Sequence, residues 1–286
     1  MSRPDPLRIV CLNAFMPGFR VLHDFAARNG HEIVLVVTLP LTSGSRYDEG
    51  ANPFVVDLPE RTDVLITGKL RTVAAPVVEA LRPDVVISAA FPRLIPAEIL
   101  QIPKYGAINC HPSPLPEGRG PNPSRLIYEG DERVAASVHR TAAEFDTGAI
   151  LAQRIAPLPA DLNGSGLMQS WYELLSECLD EAVPRLVAGE AGEDQDPARA
   201  SEAPFFTEEE KLLDLAVPAA EIRRKAAALN VTSPQAQIRV GDTTHVISRT
   251  DPVDGPSAGA PGTVLAEHDN GWTIQTADHP LRFTRS

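Results

Sequence analysis

Cysteine is scarce in this chain of 286 residues, with three residues at positions 11, 110 and 178. An odd number of widely separated cysteines, with no Cys-x-x-Cys pair, argues against a disulfide framework and a structural zinc site. Long hydrophobic runs are also lacking, because the first apolar stretch, residues 7–12, is too short for a signal peptide or a membrane span. We therefore expect an unprocessed, soluble protein of the reducing cytoplasm, with no metal and no membrane partner.

Basic residues are in deficit, with 26 Lys and Arg against 38 Asp and Glu and a formal net charge of -12. This balance argues against a surface built mainly to hold a phosphate backbone, although it is compatible with a local basic patch. The length of the chain and a hydrophobic content of 43% are sufficient for more than one core. We expect two domains.

Short apolar, β-branched runs alternate with helical patterns through the first two thirds of the chain. The predicted strands cover residues 7–12, 33–37, 64–67, 85–89, 107–110, 135–139 and 150–155, and the predicted helices lie near 19–26, 73–81 and 166–187. Such alternation is typical of an α/β fold with a doubly wound, mostly parallel sheet that is covered on both faces. We assign residues 1–188 to a Rossmann-like domain of this type.

The composition changes in residues 189–204, which contain Gly, Glu, Asp, Ala and Pro but almost no large apolar residue. We interpret this segment as a linker, because it cannot bury its own surface. After it, a helix near 219–230 is followed by short alternating strands near 237–240, 244–248, 262–266, 272–275 and 281–283, which are separated by turn residues. This pattern predicts a small antiparallel β-barrel of OB-like type over residues 205–286.

The densest chemical signal lies at residues 106–120, where a predicted strand runs into a loop rich in Pro and Gly. Asn109 and His111 are two residues apart on this strand, so their side chains point the same way and can act on one atom. The loop is typical of the carboxyl end of a strand in an α/β sheet, where such folds bind their ligands. A weaker signal is the turn at residues 146–148, in which Asp146 brings one carboxylate to the start of the next strand.

These motifs resemble those of the folate-dependent formyltransferases, a family that includes enzymes acting on methionyl-tRNA, glycinamide ribonucleotide and sugar amines. The family's Asn-x-His-x-Ser-x-Leu-Pro, Arg-Gly and Asp-x-Gly motifs are matched by Asn109, His111, Ser113, Leu115, Pro116, Arg119, Gly120, Asp146 and Gly148. The resemblance is most specific over residues 84–150, and residues 203–230 and 261–265 are similar to the C-terminal module of the tRNA enzymes. It implies that residues 1–188 form the catalytic domain of an enzyme whose co-substrate is 10-formyltetrahydrofolate.

The resemblance also implies two sets of binding residues. Those expected to contact the folate are Phe91, Arg93, Leu94, Ile95, Ala143, Glu144 and Phe145, and those expected to contact the acceptor are Asn13, Met16, Ser113 and Arg119. Phe91, Leu94 and Ile95 would provide an apolar slot for the pterin ring.

Formyl transfer to an amine needs a donor for an oxyanion, a base for the attacking nitrogen and an acid for the leaving nitrogen. We assign the oxyanion role to Asn109, because a neutral amide donates a hydrogen bond without changing its charge. By resemblance, His111 is either the general base or an oxyanion partner, and Asp146 either orients His111 or relays a proton through water. His139, on the strand before Asp146, is expected to have a supporting or structural role.

Two departures from the family bear on the acceptor. Residues 12–18 lack the Gly/Ser-rich phosphate cradle of the ribonucleotide enzymes, and residues 42–50, the counterpart of a basic insertion in the tRNA enzymes, are short and nearly neutral. We therefore expect a small biosynthetic amine as acceptor, an amino sugar or an amino acid derivative, and do not expect tRNA as a partner. The alternatives are a methionyl-tRNA formyltransferase, a 10-formyltetrahydrofolate hydrolase and a non-catalytic folate-binding module. The sequence predicts no particular oligomeric state.

Overall fold

The computed structural model describes residues 5–40 and 52–286, and the chain divides into two compact units. Unit 1 comprises Met1–Pro121, Ala135–Ile155 and Tyr172–Glu202, and unit 2 comprises Asn122–Val134, Ala156–Trp171 and Ala203–Ser286. This grouping cuts across the ranges 1–188, 189–204 and 205–286, because those ranges follow local composition whereas compactness depends on contacts between distant segments. The domain boundaries themselves stay a prediction.

Unit 1 begins with a β-α-β segment formed by β1 (Arg8–Asn13), α1 (Met16–Asn29) and β2 (Glu32–Thr38). Helix α1 ends at Gly30, whose φ of 72° lies in the left-handed region. Glycine adopts this conformation without a steric penalty, and its N–H bonds to the carbonyls of Ala26 and Ala27 close the last turn. The chain thereby reverses, and β2 pairs in parallel with β1.

The chain continues to residue 187 through a further run of strands and helices. In order, these are α2 (Pro53–Val56), β3 (Val64–Ile66), α3 (Ala75–Leu81), β4 (Val85–Ala89), α4 (Ala97–Leu100), β5 (Ala107–His111), α5 (Arg125–Glu129), β6 (Arg133–Arg140), β7 (Ile150–Pro157) and α6 (Gly164–Val187). A π-helical turn, Leu70–Ala74, leads into α3, so the helix predicted from residue 73 has an irregular first turn.

Within the described residues, these strands form one sheet in the order β3-β2-β1-β4-β5-β6-β7. Strand β1 is parallel to β2 and β4, β2 is parallel to β3, and β4 is parallel to β5, whereas β6 is antiparallel to β5. The predicted doubly wound, mostly parallel α/β sheet is confirmed. Because β1, β4 and β5 run in the same direction, their carboxyl ends lie at the same edge of the sheet, where such folds bind ligands.

Strand β1 shows why its sequence is apolar without interruption. Ile9 and Cys11 belong to one buried hydrophobic cluster, and Val10 and Leu12 belong to another. A strand that is covered on both faces has no solvent side, so its apolar residues are continuous rather than alternating. At about 1.5–3 kcal/mol for each large aliphatic side chain that is fully buried, these clusters are the main stabilisation of the sheet.

Unit 2 contains the C-terminal elements α7 (Ala219–Leu229), β8 (Gln237–Val240), β9 (Thr243–Pro252), β10 (Val264–His268), β11 (Gly271–Gln275) and β12 (Pro280–Arg285). In the part of the chain that the structure describes, these strands form an antiparallel sheet in the order β10-β11-β12-β9-β8. Trp272, Ile274 and Phe283 pack with Ile222 of α7 in a core of their own. The predicted small antiparallel β domain is confirmed.

Where the structure describes the chain, no helix has both the length and the apolar character that crossing a membrane requires. Cys11, Cys110 and Cys178 are free and buried.

Candidate active site

The site is built on β5, which carries Asn109 and His111 on one side. Residue 88 of β4 lies in register with residue 109, and the Ser88 hydroxyl donates a hydrogen bond of 2.6 Å to Oδ1 of Asn109. Because the amide oxygen faces Ser88, the Nδ2 group of Asn109 faces the other way. Its two N–H donors are directed toward His139 and Asp146.

The buried imidazole of His139 holds one of these donors. Its Nδ1 lies 2.9 Å from the carbonyl oxygen of Arg140, to which only a protonated nitrogen can donate. Its Nε2 lies 3.2 Å from Asn109 Nδ2, from which it can accept when it carries no proton, and 3.5 Å from Oδ1 of Asp146, to which it can donate when the ring is protonated. His139 thus orients the Asn109 amide, a supporting contact that agrees with the role expected for it.

His111 is buried, and its two ring nitrogens face different partners. Nε2 lies 2.9 Å from the carbonyl oxygen of Gly118, so it carries the proton and donates it. Nδ1 faces Oδ2 of Asp146 at 3.7 Å. Burial lowers the pKa of His111, although the charge of Asp146 and the Gly118 hydrogen bond oppose this effect. The imidazole is consequently neutral at physiological pH, with an unprotonated Nδ1 on the side of the carboxylate.

Asp146 connects the other polar groups of the site. Its Oδ1 lies 3.3 Å from Asn109 Nδ2, and its Oδ2 accepts from the backbone N–H of Gly120 at 3.0 Å. Burial acts to raise the pKa of Asp146, but its contacts with His139, His111 and the Gly120 N–H outweigh burial and hold the pKa at about 2. The carboxylate is therefore ionised although it is largely buried.

The backbone around Asp146 explains the Asp-x-Gly pattern. Asp146 has a φ of 55°, a left-handed conformation that Asp and Asn tolerate better than most residues. Two residues later the chain passes so close to Arg140 that a Cβ on Gly148 would lie 1.8 Å from the Arg140 carbonyl oxygen. Only glycine fits there, and this close approach turns the Asp146 carboxylate back toward β5.

The segments predicted to contact the folate lie in unit 1. Residues 91–95 follow β4, with Phe91 half-buried, Arg93 exposed, Leu94 47% exposed and Ile95 buried. Residues 143–145, Ala143, Glu144 and Phe145, immediately precede Asp146 and are exposed, with Phe145 at 51%. Leu94 and Phe145 thus present large apolar surface to solvent, which is the chemistry that a flat aromatic ligand needs.

The residues predicted to contact the acceptor are placed less uniformly. Asn13 is fully buried, where it donates to the Ala89 carbonyl at 2.6 Å and accepts from the Phe15 N–H at 2.8 Å. Ser113 is also buried and donates to the Glu117 carbonyl at 3.0 Å. Met16 is half-buried at the start of α1. Both polar side chains are therefore occupied within the protein.

Arg119, the fourth of these residues, donates to the side-chain oxygen of Gln195 from Nε at 3.1 Å and from Nη2 at 2.7 Å. It precedes Gly120, whose N–H binds the Asp146 carboxylate. Sequence reasoning did not identify Ser88, Gly118 or Gln195 as part of the site. The register of β4 against β5 is the signal that points to Ser88, whereas no local pattern marks the other two.

Across the described residues, no group of three or more His, Cys, Asp or Glu side chains could hold a metal ion. An Asn donor, a neutral His and an ionised Asp at the edge of a doubly wound sheet are the groups that an α/β enzyme acting on a carbonyl carbon would need. Residues 7–183 match the family model described as "Formyl transferase", and residues 206–286 match that described as "Formyl transferase, C-terminal domain". The chain belongs to the formyl transferase family.

Similar proteins carry two kinds of name. Methionyl-tRNA formyltransferases of Pseudomonas syringae pv. syringae (strain B728a) and Roseiflexus sp. (strain RS-1) are each 32% identical to this chain. Both alignments cover 98% of this chain, and they cover 90% of the Pseudomonas protein and 85% of the Roseiflexus protein. Crystal structures of HypX from Aquifex aeolicus with tetrahydrofolic acid and of WlaRD, a sugar 3N-formyltransferase, have TM-scores of 0.72 and 0.64 at 19% and 15% identity. These alignments cover 99% and 98% of this chain and 44% and 97% of the two solved chains, and they show a common fold.

Family membership confirms that the chain is a formyltransferase with 10-formyltetrahydrofolate as co-substrate. The expectation of a small-molecule amine as acceptor, without tRNA as partner, is wrong, because relatives that align over nearly the whole chain are methionyl-tRNA formyltransferases. A net charge of -12 averages the entire surface, whereas contacts with RNA depend on local groups of cations. The short neutral segment at residues 42–50, on which the expectation also relied, lies outside the described residues.

Proposed function

We propose that this chain transfers a formyl group from 10-formyltetrahydrofolate to the α-amino group of methionine esterified to tRNA. The observation that carries the proposal is the identity of 32% to methionyl-tRNA formyltransferases over 98% of the chain. An alignment of this extent includes both the catalytic segment and the C-terminal β domain, so it covers the parts that would have to recognise both substrates.

The formyl donor fits the residues that the chain presents. We propose that residues 91–95 and 143–145 hold the pterin ring, with the exposed side chains of Leu94 and Phe145 against its faces. Backbone groups of the same segments would meet its polar edge. The donor supplies the formyl carbon, and the steps that follow belong to the protein's own side chains.

Asn109 would stabilise the negative charge that develops on the formyl oxygen. Ser88 and His139 hold its amide in one orientation, and the N–H that is directed toward Asp146, at the long distance of 3.3 Å, would be shared with the formyl oxygen. Loss of one such donor typically raises a barrier by about 2.7–4 kcal/mol.

His111 would act as the general base. Because its Nε2 proton is donated to Gly118, its Nδ1 has no proton to give to an oxyanion but can take one from the attacking amine. The imidazolium that forms would then face the ionised Asp146 at 3.7 Å, and the carboxylate would stabilise it. The same proton would pass to the leaving nitrogen of the folate as its bond to the formyl carbon breaks, which returns His111 to its neutral form. This tautomer favours the base role of His111 over that of an oxyanion partner, and it gives Asp146 an orienting and electrostatic role.

We also propose the domain boundaries of the enzyme: a catalytic segment at residues 1–188, a connecting segment at 189–204 and a C-terminal β domain at 205–286. A cytoplasmic location is in keeping with three free cysteines.

A purified assay tests the acceptor directly. The protein would be incubated with 10-formyltetrahydrofolate and methionyl-tRNA, and formyl-methionyl-tRNA would be quantified after hydrolysis of the ester. Free methionine and a nucleotide-linked amino sugar are the comparison acceptors. We expect turnover only with the charged tRNA, and KM for it should rise with salt, because binding to phosphates releases counterions. Turnover of the amino sugar with none of the methionyl-tRNA would reject the proposal.

A further inference from the structure

Gln195 lies outside the motifs of the family but contacts the turn that carries Asp146. Its side-chain Nε2 donates to the carbonyl oxygen of Asp146 at 2.7 Å and to that of Gly148 at 2.8 Å. One amide group thus engages the two carbonyls that flank residue 147. The residue belongs to the segment whose composition predicted a linker.

The same side chain also reaches the loop on the other side of the carboxylate. Its Oε1 accepts from Nε and Nη2 of Arg119, at 3.1 and 2.7 Å. The next residue, Gly120, donates its N–H to Oδ2 of Asp146. Gln195 therefore joins the backbone of Asp146 to the loop that provides a hydrogen bond to the Asp146 carboxylate.

A second contact of this segment extends to His111. The hydroxyl of Ser201 accepts from the N–H of Gly118, and the Ser201 carbonyl accepts from the N–H of Arg119, both at 2.9 Å. The carbonyl of Gly118 is the acceptor of the His111 Nε2 proton. Residues 195–201 consequently hold both the turn that places Asp146 and the loop that sets the tautomer of His111.

The turn needs such support because of its conformation. Asp146 has a left-handed φ of 55°, and a conformation of this kind persists only where surrounding contacts hold it. The contact of Gly148 with Arg140 fixes one end of the turn, and Gln195 fixes both carbonyls from outside. An isosteric side chain without N–H donors would leave the turn free to relax and to move the carboxylate away from Asn109 and His111.

We infer that Gln195 is a positioning residue for formyl transfer, which holds the Asp146 carboxylate in its place between Asn109 and His111. The inference rests on the proposed function, because it takes these three side chains as the reacting groups. In this inference, segment 189–204 supports the position of a catalytic side chain, which a plain linker would not do.

Two substitutions at this position remove different hydrogen bonds of the Gln195 amide. Gln195→Met keeps the length but removes every hydrogen bond, and Gln195→Glu keeps an acceptor for Arg119 while it removes the donors to the two carbonyls. Gln101→Met, at an exposed position after α4 in the same unit, is the matched control. We expect both Gln195 variants to lower kcat at least tenfold, with KM for both substrates within about twofold of wild type. The control should keep wild-type kcat.

A readout besides turnover distinguishes positioning from general support of the fold. In protein labelled with carboxyl-13C aspartate, the pKa of Asp146 should rise in Gln195→Met, because the carboxylate loses its aligned donors, and should not change in Gln101→Met. Wild-type kcat in the Gln195 variants, or an unchanged Asp146 titration beside a reduced kcat, would overturn the inference. If Gln195→Met does not fold, kcat of Gln195→Glu tests the inference, whereas its Asp146 titration does not, because the added charge alone raises that pKa. If the wild type does not formylate methionyl-tRNA, the proposed function fails, and the titration still tests Gln195.

Discussion

Ser88 and Asn109 face each other across β4 and β5, and the Ser88 hydroxyl donates to Oδ1 of Asn109 at 2.6 Å. An amide has two ends of opposite polarity, and only one of them can stabilise an oxyanion. By binding the acceptor end, Ser88 turns the donor end toward the site. The orientation of Asn109 is thus set on the neighbouring strand, before any substrate is present.

Ser88→Ala tests this relationship. It leaves Oδ1 of the half-buried Asn109 without its partner, which costs about 1–3 kcal/mol of unfolding free energy. We expect kcat to fall roughly tenfold, because part of the Asn109 population would be misoriented. Urea unfolding and steady-state kinetics provide the two measurements. Ser170→Ala, which removes a hydroxyl that donates to the Gly166 carbonyl one turn back in its own helix, is the control, and an equal loss of kcat there would contradict the role of Ser88.

Asn109→Ala and His111→Ala should each lower kcat by about a hundredfold or more, because an oxyanion donor and a general base act mainly on the transition state. Affinity for a reduced folate, measured by calorimetry with 5-formyltetrahydrofolate, should stay within about threefold of wild type. His23→Ala, a substitution of a half-exposed histidine in the same unit, should retain full activity. Retained turnover in either site variant would reject the assigned roles.

Asp146→Asn should change the pH dependence of the reaction. Burial lowers the pKa of His111, and the charge of Asp146 opposes that effect, so removal of the charge should lower the His111 pKa further. If His111 reacts as the unprotonated base, the acid limb of the kcat/KM profile then moves to lower pH. The plateau should also drop about a hundredfold, because nothing stabilises the imidazolium. A profile with an unmoved acid limb would show that Asp146 does not influence His111.

The same substitution should change stability in a pH-dependent way. The pKa of Asp146 is about 2 in the folded protein and about 3.9 in an unfolded chain, so the ionised form stabilises the fold above pH 4, and this contribution is lost as the pH falls through 2. We expect Asp146→Asn to lower the unfolding free energy by about 2–3 kcal/mol at pH 7 and by much less near pH 2. Asn tolerates the left-handed φ, so backbone strain should not contribute. A difference between the proteins that does not depend on pH would contradict the prediction.

Arg125 should be important for the stability of unit 2. Its mostly buried guanidinium binds Glu129 at 2.6 Å and Glu210 at 2.7 Å, and it lies 5.7 and 5.4 Å from the ring centroids of Tyr128 and Phe206. Arg125→Met keeps apolar volume but leaves Glu210 without a cation, so we expect a loss of about 1–3 kcal/mol in urea unfolding.

Arg133→Met is the matched control for Arg125→Met. Its ion pair with Asp131 is more exposed, with the arginine side chain 45% accessible, and such surface pairs contribute about 0–1 kcal/mol. Equal losses for the two variants would show that the burial of Arg125 adds nothing.

The fold was predictable where the periodicity is strong. Strand 85–89 was predicted with the bounds that it has, and α7 was predicted to within one residue. Helices of four or five residues, such as α2 and α4, contain too few positions to show a period, and they escaped prediction.

The reacting groups were suggested by local motifs, whereas their supports were not. Asn109 and His111 are two residues apart, so a strand places them together, but Gln195 reaches Asp146 across 49 residues and only through the fold. Ser88 is 21 residues from Asn109, and their contact depends on the register of two strands. Contacts of this kind have no sequence period, which is why residues 189–204 were interpreted as a plain connection.

Cys110 lies between Asn109 and His111, and it is 3% exposed, with its thiol pKa raised by burial. An alkylating reagent can reach this sulfur only when β5 separates from the core, and both neighbours leave their positions in the same event. The rate of Cys110 labelling in the native enzyme therefore reports how often β5 opens. Labelling needs no substrate, so the opening of the strand can be measured separately from turnover.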